Sequence, residues 1–281
     1  MNQLVKICIF LLLVASQGIF AAEPAETIPQ KTRPFIICTI PKSGSHMLSK
    51  LLRAISSNTL RPLNGVKEFG NDKLHFPPHE SATPEHLFRL FPENSPISLA
   101  GHFNYHPLFS AYTERHKDCV KIILIRDLRD ICVSTTFYIN DALNDALGVK
   151  ATFDQKLMYV IKGRGFLKTS HWNVKRNALL ALEWMNDPTV ITCRFEDLCG
   201  EQGGGSRKAQ KKQILAIANA IGANLTSSDL NFLTGYLWGD TATFRKGKSG
   251  GWKEHFKPQH IKEFNKQMGK LSKQLGYPLK K

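Results

Sequence analysis

The sequence predicts an α/β protein with three layers, in which helices cover both faces of a mostly parallel central sheet. Four short apolar runs alternate with segments of helical periodicity, and the runs are continuously apolar, as expected of strands buried on both faces. In addition, Lys42, His102 and Arg126 each stand at or just after the end of such a run. Ligands of parallel sheets bind beyond the carboxyl ends of the strands, so this edge is the predicted site.

The predicted elements follow from local patterns. The apolar runs predict strands at residues 35–40, 97–102, 120–126 and 189–195. Helical periodicity predicts helices from 47, from 128, over 173–185, over 209–221, up to 236 and over 261–275. Asp127 is expected to cap the helix from Leu128, and Asp130 to complete a turn like a capping box. We expect residues 141–169 to form a mobile surface segment, and the glycine-rich residues 201–208 to form a flexible linker.

The composition narrows the class of partner. The chain has 281 residues and a formal net charge of +15. Such a charge suits a nucleotide, a sulfated or phosphorylated substrate, nucleic acid or an acidic membrane, although scattered lysines also serve solubility. Five cysteines remain if Cys8 is lost with a signal peptide, and without a C-x-x-C pair we expect no zinc site. A disulfide between Cys193 and Cys199 after export is an alternative that the sequence neither requires nor excludes.

The N-terminal segment is typical of a signal peptide. The apolar run at residues 7–15 is shorter than the ~20 residues that a membrane span needs, and small residues follow it. We therefore expect a signal peptide at 1–22, a linker at 23–33 and one domain at 34–281. The expected location is the secretory pathway or outside the cell. An uncleaved membrane anchor and an incidental apolar terminus are the alternatives, and only the anchor would bring membrane contact.

The stretch "PKSGSH" at residues 41–46 is a P-loop-like turn between a strand and a helix. A helix N-terminus offers unpaired N–H groups and partial positive charge to an anion. Gly44 allows close approach of the backbone, Lys42 adds a charge, and Ser43 and Ser45 add hydroxyl donors. Because the lysine precedes the glycine, the Walker pattern of P-loop kinases is missing. An ordinary turn with a surface lysine is the alternative.

Two later segments add cationic groups. Arg126 follows the third predicted strand, and Ser134 lies eight residues further, two turns into the next helix. An arginine binds phosphate through two parallel hydrogen bonds, although Arg126 could instead pair with Asp127 or Asp130. Residues 245–251 combine three basic residues with three glycines, which suits a loop over a phosphate. A solvated loop or a nucleic-acid patch is the alternative there.

In this order, the three segments resemble the PAPS-dependent sulfotransferases, especially the cytosolic small-molecule type, where PAPS is 3′-phosphoadenosine-5′-phosphosulfate. The turn 41–46 resembles the 5′-phosphosulfate loop of that family, and the spacing of Arg126 and Ser134 resembles its 3′-phosphate segment. Residues 245–253 match its R-K-G-x-x-G-x-W-K motif. The resemblance covers about residues 33–281, and its strength lies in the agreement of all three motifs.

The resemblance implies transfer of a sulfuryl group from PAPS to an acceptor hydroxyl or amine by in-line displacement. His102 would be the general base, with His106 as its local competitor, and Lys42 would stabilise the charge that develops. No metal is expected. The residues implied in donor binding are Lys42, Ser43, Gly44, Ser45, His46, Arg126, Ser134, Phe195, Arg245, Lys246 and Gly247.

Four positions depart from the family pattern: Ala100 replaces a common lysine, Met47 a tryptophan that packs on adenine, Gly251 an aspartate and Phe195 a tyrosine. They bear on affinity and acceptor class rather than on the reaction. The acceptor is expected to be a small molecule, a glycan or a peptide, and nucleic acid is not expected. The alternative function is a non-catalytic basic module that binds nucleic acid or sulfated glycans.

Overall fold

A computed structural model describes residues 29–57, 59–62, 97–101, 119–148, 150–168, 170, 172–239 and 245–279. The strands are β1 (Phe35–Thr39), β2 (Thr59–Pro62), β3 (Ile97–Gly101), β4 (Val120–Ile125) and β5 (Val190–Arg194). The helices are α1 (Ser45–Ile55), α2 (Leu128–Tyr138), α3 (Asn140–Leu147), α4 (Phe153–Lys162), α5 (Val174–Met185), α6 (Phe195–Leu198), α7 (Arg207–Ile221), α8 (Ser227–Tyr236) and α9 (Pro258–Gln274).

The sheet has the order β2-β3-β1-β4-β5, and each pairing between these strands is parallel. The parallel α/β prediction is therefore confirmed. β2 was not predicted, because its four residues include an arginine and a proline and form no apolar run. In the central pairing, Cys38 lies opposite both Gly101 of β3 and Ile123 of β4. These strands therefore end at the same edge of the sheet.

Helices pack on both faces of the sheet and make the predicted three layers. Alternate residues of β1 point to opposite faces, as the geometry of a strand requires. On one face, Ile36 and Ile123 pack with α2, α4, α5 and α9. On the other face, Phe35 and Ile122 pack with α1, α7 and α8. The apolar stripe predicted at 261–275 is confirmed, because Phe264, Met268, Leu271 and Leu275 of the last helix are buried.

Residues 141–168 contain most of α3, all of α4 and a 3-10 turn at Gly165–Lys168, and these elements contribute buried residues to the core, so the expectation of a mobile segment was wrong. Thr152 and Gln155 form a reciprocal capping box at the start of α4, and Leu143 and Leu157 are fully buried. Two glycines of this segment end helices. Gly148 follows α3, and Gly163 follows α4 with a left-handed backbone, which is a frequent way to end a helix.

The glycine-rich segment is likewise compact, so the expectation of a flexible linker was also wrong. Residues Glu201–Gly203 form a single 3-10 turn, and Gly203 is buried. A side chain at Gly203 would lie 2.4 Å from Cβ of Cys199 and 2.8 Å from Trp238. Glycine is needed here for close packing. The cysteines at 193 and 199 are free and buried, and no disulfide joins them.

Residues 29–33, the described part of the predicted linker, pack on the rest of the domain. The main-chain N–H of Arg33 donates to the carbonyl of Ile221 at 2.8 Å, and Gln30 forms a parallel bridge with Ser56. Residues 1–28 lie outside the described part of the chain, so the signal peptide stays a prediction. None of the described helices combines the length and the apolar composition that a membrane crossing requires.

Candidate functional site

The turn between β1 and α1 is held to the sheet from both sides. Ser43 is fully buried, and its hydroxyl donates to the carbonyl of Leu124 at 3.2 Å. The hydroxyls of Thr39 and Ser45 share a hydrogen bond of 2.8 Å. Gly44 has φ of 105°, and a Cβ there would lie 2.6 Å from Cδ2 of Phe195. Only glycine satisfies both constraints, and this confines the turn to one path.

The N-terminus of α1 is left without a side-chain cap. Gly44 occupies the capping position, and the first turn carries no acidic residue. An uncapped helix start with free N–H groups and positive potential favours an anion. Five other described helices are closed at this end by a side chain: α2 by Asp127, α4 by Thr152, α5 by Asn173, α7 by Ser206 and α8 by Thr226. The short helices α3 and α6 also begin without a side-chain cap, so the missing cap points to an anion only together with the cations around it.

Arg126 connects this turn with the C-terminal basic loop. Its guanidinium donates to the carbonyl of Lys42 at 3.3 Å and to the carbonyl of Lys248 at 2.8 Å. The same group stacks on the ring of Phe195, with Cζ 4.0 Å from the ring centre. Its Nε is buried and has no hydrogen-bond partner in the described part of the chain. The arginine therefore joins two loops and keeps one buried donor unused.

Asp130 fixes the C-terminal loop to α2. Its carboxylate accepts from the N–H of Gly250 at 2.7 Å and from that of Trp252 at 2.8 Å. It also lies 3.8 Å from the guanidinium of Arg126. Burial raises the pKa of this carboxyl, while Arg126 and the two N–H groups act against that shift. The predicted role of Asp130 in a capping turn was wrong, because the carboxylate binds a loop about 120 residues away.

The C-terminal loop brings further positive charge to the same edge. The guanidinium of Arg245 lies 4.1 Å above the ring centre of Phe137 in α2. Lys246 pairs with Glu254 at 2.8 Å on the surface, and Gly247 has φ of 62°. The N–H of Ser249 donates to the carbonyl of Gly203 at 2.8 Å. The glycine-rich turn at 201–203 is thus a support for this loop.

Lys42 experiences the combined field of these cations. Burial lowers its pKa from 10.5 to about 8, and repulsion by Arg126 and then Arg245 adds to the shift. Its Nζ lies 3.6 Å above the ring centre of Tyr138, and no salt bridge from Lys42 is formed in the described residues. Partial burial, and then the charge of Lys42, lower the pKa of His46 in the same turn. The site is therefore electrostatically prepared for an anion.

The structure brings together most of the predicted site residues that it describes. Three separate segments meet here, since the charges of Arg126 and Arg245 add to the effect of burial in lowering the pKa of Lys42. Ser134 is partly buried on α2, and Phe195 is buried behind the turn rather than facing it. His102 lies outside the described residues. β3 ends at Gly101, beside the end of β1, so the chain leaves this strand at the edge of the sheet that carries the turn.

The supporting groups of the site were not predicted from the sequence. They are Asp130, which fixes the C-terminal loop, Glu196, whose carboxylate accepts from the N–H of Asp127 at 3.0 Å, and Lys248, whose carbonyl accepts from Arg126. The alternative raised from the sequence, that Arg126 pairs with Asp130, is observed at 3.8 Å, but it gave no indication that Asp130 also binds the C-terminal loop. The carbonyl of Lys248 has no sequence signal, because any residue can supply a main-chain oxygen.

These features meet the requirements of PAPS, a donor with a 5′-phosphosulfate and a separate 3′-phosphate. The uncapped helix start and Lys42 suit one anionic group. The unused donor of Arg126, together with Arg245 and Lys246, suits a second group next to it. Two anionic groups on one ligand would offset the repulsion among these cations, which adds to the effect of burial in lowering the pKa of Lys42.

Comparisons with known proteins bear on the fold and on the family. No curated protein matches the chain by sequence. The fold is similar to that of mouse sulfotransferase SULT7A1 complexed with PAP, with a TM-score of 0.60, 18% identity, and coverage of 89% of this chain and 90% of that one. It is also similar to retinol dehydratase in complex with androsterone and inactive cofactor PAP, with a TM-score of 0.55 and 16% identity over 88% of this chain and 82% of that one.

A third similar structure is retinol dehydratase in a complex with retinol and PAP, with a TM-score of 0.54 and 17% identity over 88% of this chain and 83% of that one. These likenesses concern the fold. The family described as "Sulfotransferase domain" matches residues 32–211, which include the turn at 41–46, Arg126 and Ser134. With nearly two thirds of its length matched to that family, the chain belongs to the sulfotransferases.

Proposed function

We propose that this protein transfers the sulfuryl group of PAPS to a hydroxyl or amine of a small-molecule acceptor. Membership of the sulfotransferase family supports the reaction. The observation that carries the proposal is the meeting of three cations at an uncapped helix start, where burial, and then repulsion by Arg126 and Arg245, lowers the pKa of Lys42 to about 8. PAP, which the similar structures contain, is 3′,5′-ADP, the product left when PAPS loses its sulfuryl group.

The residues of the turn would hold the 5′ end of the donor. PAPS supplies an activated sulfuryl group with a nucleotide leaving group. Lys42, which is mostly protonated at neutral pH, would stabilise negative charge at the transferred group, together with the N–H groups at the start of α1. Gly44 lets the backbone approach closely, with Ser43 and Phe195 fixing its path from behind.

A second set of residues would hold the 3′-phosphate of the donor. The two segments that Asp130 ties together carry Arg126, Arg245, Lys246 and Gly247, and Ser134 lies further along the same helix as Asp130. The buried Nε of Arg126 offers a charged donor that is already desolvated. An anion that accepts from it would remove the cost of leaving a buried polar group unpaired.

His102 would accept the proton of the acceptor. Its proposed position rests on sequence and on the end of β3 beside the turn. A neutral imidazole is a suitable base near neutral pH. Its role stays a prediction, with His106 as the competing residue.

The acceptor would bind beside the aromatic rings of α2. Tyr138 is 53% exposed and lies under Lys42, and its ring is 5.1 Å from that of Trp172. An exposed aromatic surface next to the reacting group favours an apolar or aromatic alcohol. The presence of androsterone and retinol in retinol dehydratase structures supports this class, and a glycan or peptide acceptor is the alternative.

A product screen tests the proposed function. The purified protein is incubated with PAPS and a panel of phenols, sterols, glycans and peptides, and products are identified by mass spectrometry. We expect a product 80 Da heavier than one of the apolar alcohols, and none with Lys42→Ala. Retention on polyanions without any product, lost gradually as lysines are removed, would instead support a non-catalytic basic module.

We also propose that the protein enters the secretory pathway, from the apolar run at residues 7–15. N-terminal sequencing of exported protein should begin between Gly18 and Glu23. An intact Met1 on protein recovered from the cytosol would contradict this, and an intact Met1 on membrane protein would indicate an anchor.

A further inference from the structure

The segment that follows the last helix lies behind the donor site rather than in it. Hydrogen bonds that involve side chains hold residues 275–278. Arg194 donates to the carbonyl of Leu275 at 3.0 Å, Arg129 donates to the carbonyl of Pro278 at 3.3 Å, and Ser272 donates to the carbonyl of Tyr277 at 3.1 Å. The fourth contact is the hydroxyl of Tyr277, which donates to Glu196 at 2.7 Å. Tyr277 itself is 8% exposed.

Glu196 connects this segment with the ends of two strands. One carboxylate oxygen accepts from Tyr277, and the other accepts from the main-chain N–H of Asp127 at 3.0 Å. The ladder between β4 and β5 ends with the pair Ile125 and Arg194. The bond from Asp127 to Glu196 therefore extends the contact of the two strands by two residues beyond the ladder.

The two residues enclosed by this extension are Arg126 and Phe195. The guanidinium of Arg126 stacks on the ring of Phe195, with Cζ 4.0 Å from the ring centre, and Phe195 also lies against Gly44 of the turn at 41–46. Glu196 thus sets the distance between the backbones that carry both members of the stack. Burial raises the pKa of the Glu196 carboxyl, while the N–H of Asp127, the hydroxyl of Tyr277 and, less strongly, the charge of Arg126 act against that shift.

The backbone around Tyr277 leaves little freedom. Gly276 has φ of 84°, and a Cβ there would lie 2.5 Å from the guanidinium of Arg194. The N–H of Tyr277 donates to the carbonyl of Ser272 at 2.8 Å, which closes the end of α9. The Tyr277 hydroxyl is therefore held in place, and the ring is covered by Arg194 with Cζ at 4.9 Å from its centre.

We propose that Tyr277 and Glu196 are positioning residues for the 3′-phosphate half of the donor site, acting through Arg126 and Phe195. Neither residue contacts the donor in this scheme. Tyr277 orients Glu196, and Glu196 holds the end of β4. The C-terminal segment therefore controls the position of Arg126 in the site. The inference rests on the proposed donor, and it predicts a selective effect on ligands that carry a 3′-phosphate.

Calorimetry with 3′,5′-ADP and AMP tests this selectivity. Tyr277→Phe should weaken 3′,5′-ADP by roughly threefold to tenfold and AMP by less than about twofold. The expected loss is smaller than that of a direct hydrogen bond to a charged group, because Tyr277 acts on the ligand only through Glu196 and Arg126. Tyr159→Phe is the matched control, since it removes one hydroxyl from α4 and should leave the ratio of the two affinities unchanged. A purely structural role would lower the melting temperature and change both affinities equally.

Glu196→Gln provides an independent variant. It should reduce the ratio of the affinities for 3′,5′-ADP and AMP. Combining it with Tyr277→Phe should add little, because both changes disrupt the same connection from Tyr277 through Glu196 to the end of β4. A native preference for 3′,5′-ADP that survives both substitutions would overturn the inference and leave the proposed donor intact. A native protein without that preference would overturn the proposed donor, and the inference with it.

Discussion

Binding of the donor should depend on pH through Lys42. In the free protein its pKa is about 8 rather than 10.5, because of burial and the nearby charges of Arg126 and Arg245. An anion beside the ammonium group favours the charged form, so binding should return the pKa toward its ordinary value. The affinity for the donor should then be highest well below pH 8, where Lys42 is already protonated. It should fall as pH rises through 8, since Lys42 must then take up a proton on binding.

The magnitude follows from the two pKa values. If the anion restores the ordinary value of 10.5, the dissociation constant should rise roughly tenfold between pH 7 and about pH 9. Lys42 is only half-buried, and solvent screening reduces the effect of its neighbours, so a rise of roughly threefold to tenfold is expected. Near pH 8, binding should take up about half a proton per nucleotide.

Calorimetry with 3′,5′-ADP in two buffers of different ionisation enthalpy measures this proton uptake directly. Lys42→Arg is the matched control, because arginine keeps its charge throughout this range and should bind with little pH dependence. The phosphates of the ligand are already ionised above pH 7, so they do not contribute. Absence of proton uptake near pH 8, or the same pH dependence in Lys42→Arg, would refute the role given to Lys42.

Three further substitutions test other parts of the site. Gly44→Ala should destabilise the protein by roughly 1–3 kcal/mol in urea unfolding and impair nucleotide binding, because the new Cβ meets Phe195 and φ is 105°; unchanged stability would contradict the packing argument. Arg245→Ala should cost about 1.5–3 kcal/mol in 3′,5′-ADP binding but little in AMP binding, and equal losses measured by calorimetry would show that it does not read the 3′-phosphate. His102→Ala should lower turnover by roughly a hundredfold or more while donor binding persists; the base would be His106 if only its substitution abolishes turnover.

Local patterns in the sequence were enough for the parallel sheet and for the turn at 41–46. Buried parallel strands must be continuously apolar, and a turn that receives an anion needs glycine, hydroxyl and cationic groups within a few residues, so both leave a compact signal. The spacing of Arg126 and Ser134 and the motif at 245–253 pointed to the family for the same reason. β2 left no such signal, because its residues do not form an apolar run.

The way in which the separate segments support one another is visible only in the folded protein. Asp130 binds N–H groups at 250 and 252, Glu196 joins residues 127 and 277, and Gly203 receives a hydrogen bond from residue 249. Each contact joins positions that are far apart in the chain, and several use main-chain groups that every residue has. The lowered pKa of Lys42 has the same origin, since it depends on burial and on charges that folding brings near. Residue identity determines which groups are available, whereas distance and desolvation, which determine what those groups do, arise only when the chain folds.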